Sequence, residues 1–289
     1  MKLLNVYCAF ALFFVSCANF NAQNLAKLVD TKIGSEGSGL GCGYNFVGAT
    51  YPFGMVQFTP SFFSPQKGFV VNQLSGAGCP HMGNVPVLPL ADNIEKSPDN
   101  MEGFDAYKTI NESHAGFLSV IMKDKTVADL TVNKRSGIAK FKFDKNNKKG
   151  SVIIGAGISS TFTENAMIKI TSKKTCEGFA DGGEFCGSKT PYRIYFAIEF
   201  DREASKKGTW IGNALLKESL HGYVKNSGAF FTFNTNTNNE VQYRIAVSFV
   251  SIKNAKENLK ASKIEGGFDA YKNNAEQVWN ENLSKINIE

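Results

Sequence analysis

Beyond residue 22 the chain has no apolar run long enough to span a bilayer. Nor does it have a basic cluster interleaved with stacking aromatics, as a nucleic-acid surface would need. The net charge is +6, but Lys and acidic residues are interleaved along the chain. No Ser–His–acid spacing, G-x-S-x-G elbow or P-loop occurs, and residues 34–43 are glycine-rich without matching a dinucleotide fingerprint. Histidine is scarce, with three in 289 residues, and His114 and His221 sit where a structural imidazole is expected. No repeat of fixed period is present. These absences set aside nucleic-acid, nucleotide-binding and serine-hydrolase chemistry, and any membrane span after the N-terminus.

What the chain does have is apolar and aromatic bulk. It is 43% hydrophobic, with 24 Phe and 27 Gly, a balance that favours strands and turns around a large core. Short segments rich in β-branched and aromatic residues recur at 117–122, 126–132, 138–143, 151–158, 167–171, 192–200, 222–224, 228–234 and 241–250. Many strands at this spacing predict a mainly β protein, a large β-sandwich, over residues 23–251. From residue 252 the period changes: Ala255, Leu259, Phe268, Tyr271, Ala275, Val278 and Trp279 recur mostly at three and four residues. This predicts two amphipathic helices over 252–289, with Ser251 as the first N-cap and Gly266-Gly267 between them. The stripe ending at Ile286 is too long for a short hairpin to hide, so part of it is expected to stay exposed.

Residues 1–22 read as an export signal, with Lys2 before an apolar core. Cleavage after Ala22 would release a soluble protein, whereas Ser16-Cys17 resembles a lipobox that would leave Cys17 lipidated, the one membrane attachment expected. The product is periplasmic, an outer-membrane lipoprotein or secreted.

The most unusual stretch is 41–90, dense in Gly and Pro yet carrying Phe46, Tyr51, Phe53, Phe58 and many Val. It predicts an ordered, aromatic-rich loop system that faces a ligand or partner. Its G-A-T-Y-P-F-G-M-V-Q-F-T-P, followed by L-S-G-A-G-C, resembles the N-terminal signature of glycoside hydrolase family 92, the exo-α-mannosidases. Val29, Asp30, Ile33 and Gly34 match the family's opening V-D-x-x-I-G. Leu130, Thr131, Arg135 and Gly137 match a second motif, and Val247 to Ser251 with Ala255, Asn258 and Leu259 a third.

The resemblance implies a galactose-mutarotase-like sandwich followed by linker helices toward a helical catalytic domain. In this family the acid, the base and most calcium contacts belong to that later domain, so no catalytic residue and no metal ligand is expected here. The expected role is the sugar-pocket and domain-interface half of an exported, calcium-dependent, inverting α-mannosidase, inert alone. A stand-alone carbohydrate-binding protein is the alternative.

The matching loops nominate Gln73, Ser75, Gly76, Cys79, His81 and Asn84 as substrate-binding. Val71, Asn72 and Gln73 replace the family's commoner H-T-H, while His81 and Asn84 replace two aspartates. Loss of those charges suggests a mannosyl phosphodiester as an alternative substrate, with His81 pairing a phosphate. Of the four cysteines beyond the signal, Cys176 and Cys186 flank a Gly-rich turn and are expected to pair locally, leaving Cys42 with Cys79 to staple the signature loops. A metal site at Cys42, Cys79 and His81 is the weaker reading, because no second short-spaced ligand pair lies nearby.

Overall fold

The computed structural model describes residues 23–35, 43–61, 67–76, 78–79, 82–102, 107–159, 162–188 and 190–286. Cys17, Cys42 and His81 lie outside the described residues.

After a short 3-10 turn at Leu25–Leu28 come β1 (Ala49–Thr50), β2 (Gln57–Pro60), β3 (Phe69–Val70) and β4 (Val87–Leu90). They are followed by β5 (Tyr107–His114), β6 (Phe117–Met122), β7 (Val127–Val132), β8 (Ser136–Lys142) and β9 (Lys149–Ile154). Next are β10 (Ala166–Ile170), β11 (Thr175–Gly182), β12 (Tyr192–Phe200), β13 (Lys206–Ile211) and β14 (Ala214–Lys217). β15 (His221–Tyr223), β16 (Ser227–Asn234) and β17 (Glu240–Ser248) complete the strands among the described residues.

These form two antiparallel sheets, ordered β1-β2-β3-β4-β9-β16-β13-β14 and β15-β10-β11-β12-β17-β8-β7-β6-β5. Their inner faces share one core. Phe200 meets Phe231 and Phe233 with ring centroids 4.8 and 5.1 Å apart, and Phe58 stands edge-on to Tyr243 at 6.2 Å. The expected β-sandwich is the architecture found.

Two segments differ from the sequence reading. The stretch 41–90 is less a set of ligand-facing loops than four short strands of the smaller sheet. Val47, Val56, Phe58, Val85, Val87 and Leu88 are buried, while Phe53 is 96% exposed. β4 pairs with β9 along its length but meets β3 only at Val87, so Pro89 lies beyond the last rung on the β3 side.

The second difference is β11, expected as a turn. Its inward positions are Cys176, Gly178, Ala180 and Gly182, all buried, so the strand carries little hydrophobic signal. They are small of necessity: a Cβ on Gly178 would lie 1.9 Å from the Met167 carbonyl oxygen and 2.7 Å from the Phe196 ring.

β11 corrects the cysteine pairing as well. Cys176 is a buried free thiol pointing into the core opposite Ile198, and Cys186 lies beyond the strand's other end. Six residues of extended chain separate Cys176 from Gly182, about 20 Å, so the expected Cys176–Cys186 bridge is not formed. Burial pushes the Cys176 thiol well up from its ordinary range. In the native protein Cys176 is therefore expected to resist iodoacetamide at pH 8, and to label fully in denaturant. Peptide-level mass spectrometry showing native labelling of Cys176 would contradict its burial.

The tail is helical as expected. The Ser251 hydroxyl accepts from the Asn254 amide at 3.1 Å and caps α1 (Ile252–Ala261), which lays Ala255 and Leu259 against Ala197 and Ala246. α2 (Gly267–Leu283) buries Phe268 and Tyr271 against Phe117 and Ile138. Trp279 Nε1 donates to the Thr50 carbonyl at 2.6 Å and Asn280 Oδ1 accepts from the Ala26 amide at 2.8 Å, tying the helix to β1 and to the N-terminal 3-10 turn. Val278 and Trp279 are half-buried, and Ile286 is exposed. Among the described residues no helix is long and apolar enough to cross a membrane.

Candidate functional site

Hydrogen bonds hold the signature loops side by side. The Gly76 amide donates to the Tyr44 carbonyl at 2.8 Å, and Ser75 Oγ donates to Asn45 Oδ1 at 3.2 Å. Gly78 adopts φ +70°, a left-handed conformation that glycine takes without strain, and lies against the Tyr44 ring.

Beneath this rim lies a buried amide pair. Asn72 Nδ2 donates to Asn84 Oδ1 at 2.9 Å, and the Asn84 amide donates to Asn72 Oδ1 at 2.9 Å. The Tyr192 hydroxyl, at the start of β12, donates to Asn84 Oδ1 at 2.5 Å. Burial pushes the Tyr192 phenol above its ordinary range, so it remains a neutral donor at any physiological pH.

A covalent link reinforces this contact between sheets. Cys79 is bonded to Cys186, 107 residues away, with Cα atoms 5.4 Å apart. The expected Cys42–Cys79 bridge is thereby corrected: the β11–β12 hairpin projects its tip onto the signature loop, and Cys186 takes the Cys79 sulfur.

The hairpin forms one wall of a cleft of about 720 Å³. Phe162, Glu164, Asp181, Glu184, Tyr192 and Arg193 line it. Arg193 grips Asp181 with two bonds, Nε to Oδ1 and Nη2 to Oδ2, the latter at 2.8 Å, and lies 4.2 Å over the Phe179 ring. Those bonds hold the Asp181 carboxyl below its ordinary range. Asp181 is thus an ionised acceptor and a poor proton donor. The cleft can receive an apolar ring face on Phe162 and hydroxyl groups on its carboxylates, chemistry suited to a small polyol.

The nominated residues separate into two groups. Ser75 and Gly76 are exposed at the rim, and Cys79 is half-buried in its disulfide. Gln73 and Asn84 are fully buried, so Asn84 acts through Tyr192 rather than on a ligand directly. His81 lies outside the described residues. The sequence reading missed Tyr192, Arg193 and Phe162, which nothing local distinguishes from ordinary strand or loop residues.

No curated protein sequence matches the chain significantly. The sequence profile of the glycosyl hydrolase family 92 N-terminal domain matches residues 28–248. Among solved structures, a family GH92 α-mannosidase from Bacteroides thetaiotaomicron in complex with mannoimidazole superposes with a TM-score of 0.79 at 21% identity. The match covers 92% of this chain and 38% of that one. A family GH92 inverting mannosidase from Bacteroides thetaiotaomicron VPI-5482 gives 0.74 at 18% identity, over 90% of this chain and 36% of its own. A further GH92 family glycosyl hydrolase gives 0.79 at 19%, over 91% and 38%. This chain therefore spans well under half the length of the structures it resembles.

Proposed function

Because this chain belongs to glycosyl hydrolase family 92 through its N-terminal domain, we propose that it is the sugar-pocket and domain-interface half of an exported α-mannosidase. The observation that carries the reading is the cross-linking of the signature loop to the β11–β12 hairpin beside the cleft, by the Cys79–Cys186 bond and the Tyr192–Asn84 contact. Both links hold the hairpin wall of the cleft against the signature loop. The disulfide itself favours an oxidising, exported setting.

Hydrolysis of a glycoside needs an acid to protonate the leaving oxygen and a base to activate water. Asp181 is committed to Arg193, and on the strength of the family resemblance both groups are assigned to a helical domain following α2. Calcium belongs to the same proposal. Among the described residues no three His, Cys, Asp or Glu side chains converge to hold a cation, so they do not fit calcium. Glu164, Asp181 and Glu184 make the cleft wall more acidic than basic, which favours a neutral mannoside over the phosphodiester.

Residues 23–289 alone are expected to release no mannose from an aryl α-mannoside, with or without calcium. They should still bind methyl α-mannoside weakly, seen as saturation transfer to the ligand and reduced in Phe162→Ala/Glu164→Gln. Mannose release by the purified fragment would put the catalytic groups on this chain and overturn the division of labour.

A further inference from the structure

His114 is a buried titratable group to which the cleft gives no role. It ends β5, is 2% exposed, and lies where three elements meet. Glu112 stands two residues before it, so strand alternation puts both side chains on one face of the sheet. From α2, Lys272 and Glu276, four apart and so on one helix face, reach the same spot. The N-terminal 3-10 turn closes the third side. Its Ala26 carbonyl accepts from the Ala115 amide at 3.2 Å, and Asn24, just before it, donates from Nδ2 to Glu276 Oε2 at 3.3 Å.

The contacts decide which form of the imidazole fits. Nδ1 lies 3.1 Å from the Ala115 carbonyl, which can only accept, so Nδ1 carries a hydrogen. Nε2 then faces Glu112 Oε1 and Glu276 Oε1, each at 3.4 Å. In a neutral ring Nε2 is a lone pair, and it would stand closed to water, without a donor, against two carboxylates. In the imidazolium both nitrogens donate. The charges balance only in that form. Lys272 Nζ lies 3.8 Å from Glu112 Oε1 and 3.6 Å from the centre of the Phe117 ring, so two cations meet two carboxylates. Phe117 packs beside His114 at 5.2 Å and brings no charge. Lys27, the one charged residue of the 3-10 turn, is exposed and makes no ion pair among the described residues.

We propose that His114 is a proton-operated latch between α2 and the sandwich. With Nε2 protonated, the ring bridges Glu112 of β5 and Glu276 of α2 and seats the helix. Loss of that proton leaves two carboxylates facing a lone pair, and the seat loosens. Protonation makes the bridge, so its contribution is present on the acid side and is lost as pH rises. Histidine is the side chain whose ordinary titration falls between about pH 5 and 8. In the reading above α2 leads toward the catalytic domain, so the latch would make the firmness of that junction depend on pH. The latch itself does not rest on that reading.

Hydrogen exchange of residues 23–289 tests it, read peptide by peptide at about pH 5.5 and about pH 8 and corrected for the pH dependence of the chemical step. α1, which packs on β11, β12 and β17 instead, is the internal reference. Relative to α1, the amides of α2 should open roughly tenfold more at the higher pH, the worth of about one charge-assisted contact. In His114→Gln the two pH values should give the same ratio. His221 is present in both proteins and cancels. An unchanged α2 in wild type, or the same rise in His114→Gln, overturns the latch. Long-range proton–nitrogen NMR spectra of the wild-type imidazoles need no variant, and they decide if His114→Gln does not fold. Hydrogens on both His114 nitrogens at the lower pH, with the one on Nε2 lost at the higher, support the latch. A ring in the same form at both pH values overturns it.

Discussion

Replacing both Cys79 and Cys186 by serine is expected to lower stability by about 2–4 kcal/mol. The bridge closes a loop of 107 residues, and in the chain-entropy model a loop near that length is worth about 4.7 kcal/mol. Relaxation of the native loops returns part of this. For a domain of this size the loss corresponds to roughly 5–15 °C in melting temperature. The variant should keep its β circular-dichroism signature, because the core of Phe58, Phe200, Phe231 and Tyr243 does not depend on the bond. What it loses is the covalent staple between sheets beside the cleft, while Tyr192 still donates to Asn84. Urea unfolding of oxidised wild type and the double variant checks this, and a midpoint shift below about 1 °C in matched thermal scans would show that the staple contributes nothing.

Two phenylalanines of the signature, five residues apart, are expected to behave oppositely. Phe58→Ala should cost about 3–5 kcal/mol, the range for emptying a packed aromatic site. Phe58 is fully buried, stands 6.2 Å from Tyr243, and packs so closely on β8 that a Cβ on Gly137 would fall 2.5 Å from its ring. Phe53 sits at φ +56° in a turn closed by the Gly54 amide on the Tyr51 carbonyl at 2.9 Å, and its ring is 96% exposed. Phe53→Ser should change stability by less than about 0.5 kcal/mol. Equal losses at the two positions, measured by denaturant unfolding, would contradict the burial pattern.

Ligand-facing loops were the natural expectation for residues 41–90, because glycine and proline at that density argue against regular pairing. The structure turns Phe46, Phe58 and Phe69 inward all the same. Strands of two to four residues need little continuous pairing, so local composition did not exclude them. β11 failed to show for a different reason: its buried positions must be small to admit the Phe196 and Tyr192 rings from β12, and small residues leave no hydrophobic trace.

What the sequence determined by itself was whatever depends on neighbours along the chain. Strand alternation in β8 and β12, the three-and-four spacing of the helices and the Ser251 cap are local regularities of contiguous residues, and the spaced motifs were enough to indicate the family. Tertiary structure alone decided which cysteines meet. Cys186 is ten residues from Cys176 and 107 from Cys79, yet it bonds the distant one, because an extended strand carries the near one away while sheet pairing brings the far loop within 5.4 Å. The same holds for the site, where Tyr192, Arg193 and Asn84 acquire their roles only from where β12 begins. Separation along an extended strand grows by about 3.3 Å per residue, whereas proximity across a sandwich is set by which strands pair, and no local pattern encodes that.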